Sequence, residues 1–215
     1  MVEQKLQPIR LSVPEEEVQD HLGRYERLAL KAGATRAGRL PAAGIPVDER
    51  VSLKCSIPKC FGYGTSANCP PHSPKPEEMR RIVGLYRWAV VFGLQIPPAV
   101  AIRDKATIQP RVEAYKKIFD IASAVESAAF YDGHYLSVGF AAGSCKSTYC
   151  YDKPCAVLGG EKCRLQLRSR PSMESVGIDC YRIATQLGWE IYPLGSSAGA
   201  ECAPHGLLMG LVLVV

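Results

Sequence analysis

Seven of the nine cysteines fall in two short segments, and their spacing indicates metal binding. The first segment, "KCSIPKCFGYGTSANCPPH", has the pattern C-x4-C-x8-C, and the second, "GSCKSTYCYDKPCAVLGGEKCR", has the pattern C-x4-C-x4-C-x7-C. Thiolates bind zinc and iron–sulfur clusters, and the intervening Gly, Ser, Asn and Pro residues let the chain turn so that several thiolates converge. The candidate metal and cofactor ligands are Cys55, Cys60, Cys69, Cys145, Cys150, Cys155 and Cys163.

The number of residues between successive cysteines indicates which metal they bind. Structural zinc sites usually use two tight C-x2-C pairs around one ion, and neither segment contains such a pair. A [4Fe–4S] cluster is larger and takes one thiolate at each iron, so wider steps suit it better. The sequence therefore favours one or two [4Fe–4S] clusters and keeps zinc as the alternative.

The first triplet of cysteines needs a fourth ligand or leaves one iron open. His72 follows the triplet directly, while Cys180 in "GIDCYR" and Cys202 in "AECAPH" are distant candidates. We expect His72 to bond backbone at a helix start, and Cys180 to be a buried thiol inside a helix, as free cysteines often are. A filled fourth place favours electron transfer, whereas an open iron would be a Lewis acid for a substrate.

Three arginines lie close to the last cysteine of the second segment. Arg164 follows that cysteine directly, and Arg168 and Arg170 come within the next seven residues. These side chains could offset thiolate charge or bind an anionic substrate, and the equally weighted alternative is a solvated basic edge.

Apolar patterns predict the elements that must position the cysteines. Residues 88–96, "WAVVFGLQI", form a continuous apolar run, which is typical of a central strand covered on both faces. The terminal "GLLMGLVLVV" predicts a second buried strand, and "WEIYPL" predicts a third. Pro171 and Ser172 are predicted to open a helix that runs through Cys180 to Gly188.

The order of these elements predicts the fold class. Helices and strands follow one another along the chain, which predicts a single α/β domain over residues 1–215, with α+β as the alternative. We expect a small mixed sheet flanked by helices. Two cysteine-rich metal-binding loops, at about residues 54–72 and 143–171, would interrupt it.

Composition excludes several classes of function. The chain has 215 residues, a net charge of +5 and no run of five like charges, which gives no support to nucleic-acid binding. The most apolar stretch has about ten residues against the ~20 that span a bilayer, and the N-terminal segment has no apolar core of a signal peptide. We therefore expect a cytoplasmic protein without a membrane partner. In a reducing cytoplasm the cysteines would be ligands or catalytic thiols, and an exported disulfide scaffold is the alternative.

The two cysteine segments together resemble a known family. "KCSIPKCFGYGTSANCPPHSP", the four cysteines of the second segment and "RPSMESVGID" are similar to the DUF2284 family of predicted metal-binding proteins. The likeness runs from about residue 54 to 179 and includes an apolar strand at the end. It implies iron–sulfur binding by all seven cysteines in an anaerobe, and it implies no particular reaction.

Three functions remain open from the sequence, and whether the protein is an enzyme is undecided. The first is a cytoplasmic iron–sulfur protein of anaerobic metabolism, which passes electrons from one or two [4Fe–4S] clusters to a partner oxidoreductase. The second is an enzyme whose open iron acts on a small sulfur-containing or anionic substrate. The third is a structural zinc protein.

Overall fold

A four-stranded sheet forms the centre of the computed structural model, which describes residues 8–102, 105–195 and 197–215. The strand order is β1-β2-β4-β3, and all three neighbouring pairs are antiparallel. The two long inner strands are aligned over their whole length, from Trp88 opposite Val214 to Ile96 opposite Gly206. The strands are β1 (Arg36–Pro41), β2 (Trp88–Ile96), β3 (Val138–Phe140) and β4 (Gly206–Val214).

Seven α-helices surround this sheet in the described part of the chain. The two longest, α1 and α5, have 17 and 24 residues. The others have eight residues or fewer. The helices are α1 (Glu15–Lys31), α2 (Glu49–Leu53), α3 (Pro76–Val83), α4 (Pro98–Ala101), α5 (Ile108–Tyr131), α6 (Cys145–Tyr149) and α7 (Cys180–Gln186).

The inner strands are buried on both faces. Side chains alternate across a strand, so Val90 and Phe92 of β2 pack with α1 and α5, whereas Ala89 and Val91 pack with α3 and α7. Each of these four side chains is fully buried. This explains why residues 88–96 form an unbroken apolar run even though the sheet is antiparallel.

The predicted fold class is confirmed in its main features. The protein is a single α/β domain in which helices flank a small sheet. The expectation of a mixed sheet is wrong for the described strands, since every pair is antiparallel. The predicted strands at 88–96 and at the C-terminal end of the sequence are confirmed as β2 and β4.

Two predicted elements differ from the structure, and both differences lie near the cysteines. The segment from Pro171 is not one helix, because a short 3₁₀ turn (Glu174–Val176) ends at Gly177 in the left-handed conformation (φ 87°). A new helix, α7, then begins at Cys180, and Asp179 caps it by accepting a hydrogen bond from the Arg182 amide. "WEIYPL" forms no strand and runs along the wall of a cavity instead.

The cysteine loops lie at one end of the sheet. The end of β2 at Ile96, the start of β4 at Gly206 and the residues just after β3 meet around a cavity. The second loop follows β3 directly, whereas the first loop follows α2. No helix among the described residues is both long enough and apolar enough to cross a membrane.

Candidate metal centre

Two cavities contain eight of the nine cysteines, four in each. The first cavity has a volume of about 340 Å³ and the second about 230 Å³. All nine cysteines are free thiols. The first cavity is lined by Cys55, Cys60, Cys69 and Cys180, and the second by Cys145, Cys150, Cys155 and Cys163.

The first cavity draws its cysteines from distant parts of the chain. Cys55 follows α2, and its amide donates a hydrogen bond to the Ser52 carbonyl at 2.9 Å. The Cys60 amide donates to the Cys55 carbonyl at 2.9 Å, which closes the turn between these two residues. Cys180 reaches the same cavity because α7 begins at it, 111 positions after Cys69 along the chain.

Burial dominates the electrostatics of the first cavity. Burial raises the pKa of the Cys55 thiol to about 11, and the neighbouring Cys60 and Glu174 add to the effect. The pKa values of Cys69 and Cys180 are raised by burial as well. Without a bound cation these thiols are neutral near pH 7. Binding of metal ions would release their protons.

Among the described residues that line the first cavity, Glu174 is the only acidic one. Its side chain is partly buried. Burial raises the pKa of its carboxyl group, which interacts with Ser172 and Cys180. Sequence reasoning missed Glu174, because an acidic residue after a proline and a serine is normally a solvated first-turn residue.

The first cavity extends beyond its cysteines. Its far side is formed by apolar and aromatic side chains, among them Ile96, Tyr115 and Leu207. Gly143 (φ 70°) lets Tyr115 approach, since a Cβ atom at this position would lie 2.5 Å from the tyrosine ring. The second cavity has no such extension, and its wall consists almost entirely of the cysteine loops.

The second cavity is formed mainly by local structure. Cys145 is the first residue of α6, whose N-cap Ser144 accepts a hydrogen bond from the Lys146 amide at 3.3 Å. The ammonium group of Lys146 donates to the carbonyls of Cys150 and Tyr151 at 2.6 and 2.8 Å. These bonds hold the first two cysteines of the loop in place.

Hydrogen-bond donors surround the sulfur atoms of the second cavity. The Leu165 amide donates to Cys163 Sγ at 3.4 Å, and Asn68 Nδ2 lies 3.6 Å from Cys145 Sγ. Burial opposes ionisation of Cys155, but nearby backbone N–H groups outweigh it and lower the pKa of this thiol. Donors of this kind stabilise thiolates and are common around iron–sulfur clusters.

A thin wall separates the two cavities. Asn68 lines the second cavity and the next residue, Cys69, lines the first. Ser144 lines the first cavity, and the next residue, Cys145, lines the second. The Cys69 thiol donates a hydrogen bond to Ser144 Oγ at 3.3 Å, which joins the two halves of the wall.

The arrangement of the cysteines bears on whether they could hold a single metal ion or a cluster of several metal ions. Four thiolates on one zinc each lie about 2.3 Å from it. Within the described ranges, no three His, Cys, Asp or Glu side chains converge closely enough to hold one ion. The cysteines instead surround open volumes of 340 and 230 Å³. This arrangement fits a multinuclear group with one thiolate at each corner better than a single ion.

The other residues considered from the sequence lie elsewhere. His72 and Cys202 are exposed, and neither lines either cavity. Cys180 is buried and belongs to a helix, as predicted, but it is the first residue of α7 and not an interior one. The sequence offered it as a distant candidate for the fourth ligand, and it lines the same cavity as the first triplet.

Two of the three arginines after Cys163 pair with acidic residues of α5. Arg170 forms a partly buried ion pair with Glu126, and Arg168 lies 3.6 Å from Asp120. The Arg164 guanidinium donates to the Pro154 carbonyl at 2.9 Å while its side chain remains exposed. Of the three, Arg164 also lines the second cavity.

Comparison with known proteins supports the metal-binding interpretation. The model of the DUF2284 family, described as predicted metal-binding proteins, matches residues 38–214. The chain belongs to this family. The match spans both cysteine loops and includes all four cysteines of each cavity wall, Cys180 among them. No curated protein and no solved structure matches the chain.

Proposed function

We propose that this DUF2284 protein holds two [4Fe–4S] clusters and passes single electrons to a partner oxidoreductase. The observation that carries the proposal is the pair of cavities, each lined by four cysteines. In each cavity the thiolates would bind the irons of one cluster, and such a cluster supplies one-electron redox chemistry.

The surroundings of the sulfur atoms support clusters over zinc. In the second cavity, N–H groups of Leu165 and Asn68 approach cysteine sulfurs, and backbone N–H groups approach Cys155. In the first cavity, apolar walls would exclude water from the bound group. Donors and a dry shell are the features that tune iron–sulfur clusters.

The free thiols support a reducing location. All nine cysteines are unpaired, and eight of them line the two cavities. Disulfides are rare in the cytoplasm, where thiols are kept reduced. We therefore assign the protein to the cytoplasm, in anaerobic metabolism, where oxygen does not attack the clusters.

The surface over the second cavity supports docking of a redox partner. Tyr151 and Leu167 are 83% and 82% exposed, and Val157 and Leu158 beside them are more than 40% exposed. Residues 145–170 carry six Lys or Arg and two acidic residues, a net charge of +4 out of the +5 of the whole chain. Electron-transfer encounters are small and steered by charge, so the partner would be acidic.

A second candidate function is an enzyme with an open iron in the first cavity. The observation that favours it is the extension of this cavity toward Ile96, Tyr115 and Leu207, which leaves room beyond the cysteines. A small ligand could lie there against the bound group. This candidate requires the fourth place of the first centre to lack a protein ligand.

Anaerobic purification followed by metal and sulfide analysis tests the proposal. We expect brown protein with absorption near about 400 nm, and about eight irons and eight sulfides per chain. Colourless protein with stoichiometric zinc after anaerobic expression in iron-rich medium would overturn the proposal. About four irons would mean that one of the two cavities holds no cluster.

A further inference from the structure

We propose that Cys180 is the fourth thiolate ligand of the first centre, which makes this centre a closed, four-cysteine site. The inference rests on the proposed function, since it concerns the ligands of one of the two clusters. It assigns a ligand that lies outside both cysteine segments of the sequence.

The position of Cys180 is the first reason for this assignment. Its side chain lines the same cavity as Cys55, Cys60 and Cys69, and it is only 7% exposed. Its sulfur lies 3.9 Å from the Met173 sulfur and 4.0 Å from the Ile178 carbonyl, and it also interacts with the Glu174 carboxyl group on the cavity wall. A buried thiol on a cysteine-lined cavity is well suited to bind metal.

The local backbone directs Cys180 into this cavity. Gly177 ends the 3₁₀ turn in the left-handed conformation, and a Cβ atom there would lie 3.0 Å from Pro76 and 3.1 Å from the Asp48 carbonyl. Asp179 then caps α7 and fixes Cys180 as its first residue. This break in the segment allows the cysteine to face the loop of the first triplet.

The alternative ligands are less suitable. His72 and Cys202 are exposed and lie outside the cavity wall. Glu174 does line the cavity, but its carboxyl group interacts with Ser172 and with Cys180 itself. Iron–sulfur clusters are held predominantly by cysteine thiolates. Glu174 is therefore a positioning residue that holds the Cys180 side chain, and Cys180 is the ligand.

Binding of Cys180 to the first cluster would favour one of the two candidate functions over the other. With Cys180 bound, each iron of the first cluster has one cysteine, as each iron of the second cluster does. A closed centre of this kind has no vacant iron for a substrate, which favours the electron carrier. The extra volume beside Tyr115 then contributes to a dry surrounding for the cluster.

The test compares Cys180→Ala with Cys202→Ala in anaerobically purified protein. The wild-type iron content comes first: about eight irons support the proposed function, and zinc or no metal contradicts it independently of Cys180. Given that result, we expect Cys180→Ala to lose between one and four irons. It should show the EPR signal of a three-iron cluster when oxidised, or no signal from the first centre when reduced. Cys202→Ala should match the wild type.

A wild-type measurement keeps the inference falsifiable if Cys180→Ala does not fold. Cyanide added to the reduced wild-type protein should leave its EPR spectrum unchanged, because a closed cluster offers no vacant iron. A spectrum that shifts with cyanide would overturn the inference, as would a folded Cys180→Ala variant with unchanged iron content and EPR.

Discussion

The two cysteine cavities differ in how the chain builds them. The second takes all four cysteines from nineteen consecutive residues, 145–163, and lies among exposed side chains. The first takes its cysteines from positions 55 to 180, and two of them are buried. A local loop can form a site near the surface, whereas an interior site needs several elements to meet.

The two cavities also differ in how strongly their surroundings would stabilise negative charge on a bound cluster. Several N–H donors approach the sulfur atoms of the second cavity, whereas burial dominates in the first, with Glu174 on its wall. Donors stabilise the more negative, reduced state of a cluster, and apolar burial destabilises it. We therefore expect the second centre to be reduced at the higher potential, with the first centre as the stronger reductant.

The largest expected effect concerns the independence of the two centres. Cys155→Ala and Cys69→Ala each remove one ligand, from the second and the first cavity respectively. Each variant should lose up to about four irons, and the remaining EPR signal should differ between the two variants. Iron analysis and EPR of the reduced proteins check this, and identical residual signals would contradict the assignment of one cluster to each cavity.

The next effect concerns which cavity exchanges electrons with a partner. Lys153 and Lys162 are exposed in the second loop, so replacing both with Glu reverses much of its positive charge. Reduction by a strongly acidic bacterial ferredoxin should slow about tenfold at low salt, and the difference should shrink at high salt. Stopped-flow absorbance measures the rate.

Lys31→Glu provides the control for this rate. It changes the net charge by −2, half the change of −4 in the double variant, at a site on α1, whose residues line neither cavity. Its rate should stay within about twofold of the wild type at the same salt concentration. Equal slowing by both variants would mean that only net charge matters and that docking is not centred on the second cavity.

A smaller effect concerns a single hydrogen bond to sulfur. Asn68→Leu removes the amide that lies 3.6 Å from Cys145 Sγ, a contribution of about 1 kcal/mol or roughly 40 mV for one electron. The potential of the second centre should fall by this amount, while that of the first stays unchanged. Redox titration followed by EPR resolves the two.

Ser169→Ala is the matched control for this potential. It removes the hydroxyl group that accepts a hydrogen bond from the same Asn68 amide at 2.6 Å, but leaves the amide itself near the sulfur. Its potential should remain close to that of the wild type. A shift as large as that of Asn68→Leu would assign the effect to packing of the loop and not to the bond with sulfur.

The smallest expected effect concerns a histidine pair outside the cysteine cavities, which should make the stability of the fold depend on pH. His21 and His134 form a buried pair with their ring nitrogens 2.8 Å apart, and neither lines a cysteine cavity. Burial and the neighbouring His21 lower the pKa of His134 to about 4, and burial also lowers that of His21. The unfolded chain therefore takes up protons first, and stability should fall as the pH decreases from about 6.5 toward 4.

Thermal unfolding at pH 7.5 and 5.5 measures this effect. The free energy of unfolding should be lower at pH 5.5 by about 1 kcal/mol, and the dependence should be weaker in His134→Gln. The wild type and His134→Gln should both retain iron in both centres at these pH values before they unfold. An equally steep dependence in His134→Gln would show that other groups cause it.

The sequence predicted features formed by neighbouring residues better than features that depend on residues far apart in the chain. The four cysteines of the second cavity were predicted together, because ligands within one loop are visible in their spacing. Cys180 could not be assigned, because its place depends on the left-handed Gly177 that divides an apparently continuous helix. The strand β2 was predicted from its apolar run, but the antiparallel pairing depends on partners far away in the sequence.

"WEIYPL" illustrates the limit of strand prediction. Its apolar residues suited a strand, yet Ile191, Tyr192 and Leu194 line the first cavity instead. The wall of an apolar cavity and a buried strand both require apolar residues. Only the position of the segment relative to the sheet distinguishes them, and that position is not encoded locally.

The thin wall between the cavities has an electrical consequence. Two short stretches of chain, residues 68–69 and 144–145, form this wall, and each has one residue on either cavity, so only a thin layer separates the two proposed clusters. Charge placed on one group would act on the other through a medium of low dielectric constant, where screening is weak. Uptake of the first electron would then oppose uptake of the second, so the pair would be anticooperative and would deliver electrons one at a time.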